Sequence, residues 1–94
     1  MPIHIWQNGE QRTPQPLEHE ALPLGAVVVV DHFDDHDALA VATLCRLAAA
    51  SPWVQVVCDP PAVWHLNALL PVSTRVVSVE VMAQVGAAVR WRTP

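Results

Sequence analysis

Asp31-His32-Phe33-Asp34-Asp35-His36-Asp37 places four carboxylates and two imidazoles within seven residues. Carboxylate oxygens grouped in this way bind hard divalent cations, and Asp31, Asp34 and Asp35 are the candidate ligands for Mg²⁺ or Ca²⁺. His32 and His36, four apart, share a metal if the following helix begins early enough to bring both to one face. A metal held there activates water for hydrolysis. The same residues also have a structural use. Acids at a helix start accept from free backbone N–H groups and complement the helix dipole, each worth about 0.3–1 kcal/mol. A phosphate ligand fits poorly, because no glycine-rich loop is present and the acids repel an anion.

Elsewhere the chemistry is sparse. His4 and His65 have no Cys or Asp at a metal-binding spacing, and no G-x-S-x-G elbow announces a serine nucleophile. Cys45 and Cys58 lie in apolar surroundings without a C-x-x-C spacing, the pattern of reduced core thiols. Trp6, Trp53 and Trp64 read as packing residues, whereas Trp91, between Arg90 and Arg92, is a candidate partner contact.

The acidic segment must be positioned by what precedes and follows it. Residues 26–30 are a continuous, β-branched run, the pattern of a strand buried on both faces. Residues 37–50 carry an apolar stripe at Val41, Leu44, Cys45 and Ala48, with Asp34 or Asp35 as the cap. Ser51-Pro52 stops this helix, and residues 53–58 form the next strand. Asp59-Pro60-Pro61 starts a short helix carrying Val63, Leu66 and Leu70, residues 74–79 form a third strand, and Val81, Val85, Ala88 and Val89 mark a last helix. Before all of these, residues 3–13 alternate around Asn8-Gly9, the strongest short hairpin signal. The expected fold class is α/β: a small three-stranded parallel sheet, β-α-β-α-β-α, with an N-terminal β-hairpin. It forms a single domain over residues 1–94, with the hairpin at 1–13, a proline-bearing connector at 14–25, the α/β core at 26–90 and a tail at 91–94. Ligand or partner surfaces then fall at the carboxyl ends of the parallel strands.

Composition narrows the classes of function. The 94 residues are 52% apolar and 15% charged, which disfavours disorder. A formal charge of −4 disfavours direct nucleic-acid binding by this chain. The longest apolar run, residues 22–30, is interrupted by Pro23 and falls short of the roughly 18–20 residues of a membrane span. The N-terminus lacks the basic and apolar regions of a secretory signal, so the expected address is cytoplasmic.

Residues 27–35 resemble the first strand and acidic loop of response-regulator receiver domains, where a hydrophobic strand runs into paired acids that hold Mg²⁺. Residues 51–57 and 75–80 extend the resemblance, and Glu80 stands nearest the place of the phosphoacceptor Asp. The chain is thus similar to a shortened, degenerate pseudo-receiver of a bacterial regulator, lacking the phosphoacceptor. The resemblance implies a non-catalytic regulatory or protein-interaction module in signalling and transcription regulation, which dimerises or binds a protein partner. Glu80, Val81, Val85, Val89 and Trp91 are the expected contact residues, because a three-stranded sheet leaves edges that need cover. Residues 35–41 also look like the aspartate-rich first motif of nucleoside hydrolases, which implies Ca²⁺ and a metal-dependent hydrolase fragment as the alternative. A STAS-like protein-binding domain is a third small α/β arrangement of this kind.

Overall fold

A computed structural model of the protein describes residues 2–78. Its centre is the valine run, which forms a strand (Val27–Val30) buried along its whole length. Among the described residues five strands make one sheet: β1 (Ile3–Gln7), β2 (Glu10–Arg12), β3 (Val27–Val30), β4 (Gln55–Cys58) and β5 (Arg75–Ser78). Their spatial order is β2-β1-β3-β4-β5. β3, β4 and β5 run parallel in register, Val28 beside Val56 and Val56 beside Val76. β1 pairs antiparallel with both β2 and β3.

This corrects the expected fold class. A three-stranded parallel sheet with an appended hairpin, the arrangement that the receiver resemblance implies, is not what forms. The hairpin is built into a five-stranded mixed sheet, because Ile3 and Ile5 point into the same core as Val28 and Val30. Ile3 stands opposite Val30 and Ile5 opposite Val28, and Ile5 is 0% exposed. A hydrogen bond from Asp31 N–H to the Pro2 carbonyl, 2.8 Å, closes the end of this pairing. At the other end Asn8 and Gly9 turn the chain with φ of 52° and 76°, the left-handed pair that a two-residue type I′ turn requires. The expected last helix, residues 81–89, lies outside the described residues.

Two helices connect the parallel strands: α1 (Ala38–Ala50) between β3 and β4, and α2 (Val63–Leu69) between β4 and β5. A single 3-10 turn, Pro60–Ala62, precedes α2. Both helices cover one face, where Leu44, Leu47 and Leu66 join Ile3, Ile5, Val28, Val30, Val56 and Cys58 in one cluster. The buried residues of α1 are Ala40, Thr43, Leu44, Leu47 and Ala48, while Val41 and Cys45 of the expected stripe are half-buried. The helix is rolled by the connector that crosses it: the Leu17 N–H donates to Thr43 Oγ1 at 2.9 Å, and the Leu22 N–H donates to Ser51 Oγ at 2.8 Å. The Trp53 indole N–H donates to the Leu22 carbonyl at 3.1 Å and holds the connector from the other side.

The connector is also tied to the hairpin. The Arg12 guanidinium donates to both carboxylate oxygens of Glu18, at 2.9 and 2.7 Å, and the Gln15 N–H donates to Glu18 at 3.1 Å. The hydrogen bond from Arg12, followed by that from the Gln15 backbone, holds the Glu18 carboxyl below its usual value against the opposing effect of partial burial. Hydrogen bonding to Glu18 raises the Arg12 value in turn.

Two outcomes are expected. Ile5→Ala lowers the unfolding free energy by about 2–5 kcal/mol, whereas Glu10→Ala, on the exposed edge strand, changes it by no more than about 0.5 kcal/mol. Urea denaturation measures both, and a loss below about 1 kcal/mol for Ile5→Ala overturns the placement of the hairpin in the cooperative core. Because the Glu18 carboxyl is held low in the folded chain, its contribution is present at neutral pH and disappears as pH falls through and below the ordinary glutamate range. Glu18→Gln removes that acid-sensitive part, about 1 kcal/mol or less for a pair at the surface. Equal pH dependence of the two proteins between pH 7 and pH 3 excludes the contribution.

Candidate functional site

Side chains of mixed chemistry converge at the carboxyl ends of β3 and β4, where strand order and helix starts leave a crevice. The chain leaves β3 through Asp31 and His32, and His32 sits at φ 51°. Left-handed backbone is uncommon for a residue with a Cβ. Here it reverses the chain sharply enough for Phe33 to fold back against the main core. The chain leaves β4 through Asp59 into the 3-10 turn that starts α2. A cleft of about 280 Å³ between these two exits is lined by His32, Phe33, Asp59, Pro61, Ala62 and His65. A second groove of about 260 Å³ continues along α2, lined by Phe33, Asp35, His65, Ala68 and Leu69. The Phe33 and His65 rings line both, with centroids 6.3 Å apart and planes tilted by 35°.

The acidic segment is spent mostly on local structure. Asp34 Oδ1 accepts from the His36 N–H at 2.9 Å, and its carbonyl accepts from the Asp37 N–H at 3.1 Å. Asp37, rather than Asp34 or Asp35, is the N-cap of α1, with Oδ1 accepting from the Ala40 N–H at 3.1 Å. Asp35 turns outward, 3.6 Å from the exposed His36 ring. Asp31 approaches His4 across the sheet, at 3.9 Å. The three candidate metal ligands Asp31, Asp34 and Asp35 therefore face three different neighbours. Among the described residues no group of three His, Cys, Asp or Glu is arranged to hold a metal ion. His32 and His36 precede α1 and do not share a helix face. The donor set does not fit Mg²⁺ or Ca²⁺, and no hydrolytic step is derived through either.

The thiols offer no nucleophile. Cys58 is buried and Cys45 half-buried, and both are free. Burial, reinforced by Asp59, pushes the Cys58 thiol up to about 11, and burial raises Cys45 as well. At neutral pH both are protonated. The Cys58 S–H points toward the Val77 carbonyl at 3.9 Å.

Phe33 and Asp59 lie in strand-end segments, residues 31–37 and 59–61, that the sequence marks as ligand or partner surfaces without giving either side chain a role, and His65 is one that it set aside. The signal available was position: Phe33 and Asp59 directly follow parallel strands, where crevices of open α/β sheets lie. Of the tryptophans, Trp6 packs on the sheet face away from the helices, Trp53 is held by Leu22, and Trp64 is 85% exposed on α2. The expected contact residues Glu80, Val81, Val85, Val89 and Trp91 lie outside the described residues.

Titrating Mg²⁺ and then Ca²⁺ into the protein while recording amide NMR spectra is expected to leave Asp31, Asp34 and Asp35 without saturable shifts. Saturable shifts confined to residues 31–37 overturn the assignment of these acids to loop and cap geometry. No family model, curated protein or solved structure matches this chain.

Proposed function

We propose that the protein is a non-catalytic protein-interaction module that recognises a basic, apolar partner through the outward side of α2 and the crevice beside it. The observation that carries this reading is Trp64, 85% exposed on a helix that buries Leu66 and also exposes Leu69. Trp is the residue most enriched among those that dominate binding energy, because its large rigid surface loses little entropy when it docks. Trp64 precedes Ala68 by one helical turn, and Ala68 and Leu69 line the groove together with Phe33 and His65.

Charge indicates the character of the partner. Asp31, Asp34, Asp35, Asp37 and Asp59 all lie in the loops at this end of the sheet. The described arginines lie elsewhere: Arg12 on β2, Arg46 on α1 and Arg75 at the start of β5. Carboxylates around an apolar groove favour encounter with a surface bearing lysine or arginine around its own apolar anchor.

A lysine-rich amphipathic helical peptide and its glutamate-substituted counterpart provide the test. The basic peptide is expected to shift the Trp64 indole resonance and the His65 and Leu69 amides saturably, with affinity that weakens as salt rises. Trp64→Ala is expected to weaken binding at least tenfold while leaving the amide spectrum of β1, β3 and β4 in place. Equal response to the acidic peptide, or an unmoved indole, sinks the reading.

A further inference from the structure

The sheet has a second face, and its residues are read directly from the register. His4, Val29, Val57 and Val77 form one row across it, and Trp6, Val27, Gln55 and Arg75 form the next. Val27, Val29 and Val57 make an apolar cluster here, with Trp6 and Val77 packed against it. Every member is a strand residue; the described helices supply the cluster on the opposite face. Even so, Val29 is 4% and Val57 0% exposed. An antiparallel sheet that leaves one face to water alternates apolar with polar residues, whereas adjacent parallel strands with valines on both faces belong to a sheet covered on both sides.

We infer that this second face is covered by the chain's own C-terminal segment, which lies across Val29, Val57 and Val77 and makes the module three-layered. Chain length and position carry the choice of occupant. Sixteen residues, 79–94, follow β5, and β5 adjoins β4 at the edge of the valine row. Val81, Val85, Ala88 and Val89 recur at the spacing of one helix face. As a helix, residues 81–89 span about 12 Å, matching the roughly 13 Å of a four-residue strand. Their apolar stripe thereby has an intramolecular use in place of the dimer contact that the sequence alone led one to expect. The inference is independent of the Trp64 surface, which lies on a helix of the opposite layer.

Methyl NOE spectroscopy on the full chain tests it. Uniformly labelled protein is expected to show cross-peaks from Val57 and Val77 to Val85 and Val89, and these are expected to vanish in a filtered experiment on mixed labelled and unlabelled chains. Cross-peaks that persist in the mixed sample place a second copy on the face and overturn the inference, as does their absence from both samples. In the full chain, Val85→Asp with Val89→Asp is expected to raise binding of a hydrophobic dye several-fold, while Val72→Asp, at a fully exposed position, leaves it unchanged. Should the double variant fail to fold, the wild-type NOE pattern alone decides.

Discussion

The two-sided burial of β3 is the constraint on which the remaining structure depends. Four consecutive valines, none more than 8% exposed, cannot sit at an edge or on a half-solvated sheet. Each must have a strand on both sides and side chains above and below. β4 meets one side with a parallel ladder and β1 meets the other with an antiparallel one. Leu44, Leu47 and Leu66 fill the space on one face because α1 and α2 both return over it. Even the turn at His32 follows from this strand: the chain must leave a fully paired position abruptly and still reach the start of α1.

Much of this was legible in the residues. The valine run, the stop at Ser51-Pro52 and the second strand ending at Cys58 each carry a local signal and form within a residue or two of their expected bounds, whereas the prolines at 60 and 61 lead a 3-10 turn and α2 starts at Val63. What was not legible is long-range. Ile3-His4-Ile5-Trp6 states that a strand alternates, but not which strand it pairs with. Ile3 and Ile5 were the available clue, since two isoleucines on one face of an isolated hairpin have nothing to bury against. The neighbour that β3 needed on its open side was already in the chain, twenty residues upstream.

The site was less legible than the fold, for a related reason. Composition draws attention to residues 31–37, yet a carboxylate has many uses, and short hydrogen bonds to nearby backbone claim Asp34 and Asp37 first. Phe33, Asp59 and His65 converge only because parallel strands bring together segments about thirty residues apart in sequence. No local spacing encodes that meeting. The outward placement of Trp64 depends on helix phase: Leu66 and Leu70 turn inward, which directs residue 64 to solvent on a helix too short to hide it.

The outermost strand on the hairpin side consists of Glu10, Gln11 and Arg12, all exposed. Three residues offer few backbone groups for a neighbouring chain to pair with, and two of the three carry charge. Another copy adding a strand here gains a short ladder at best and must strip water from charged side chains to do so. On this flank the molecule is therefore protected against runaway sheet extension and fibril growth by the brevity and polarity of a single strand.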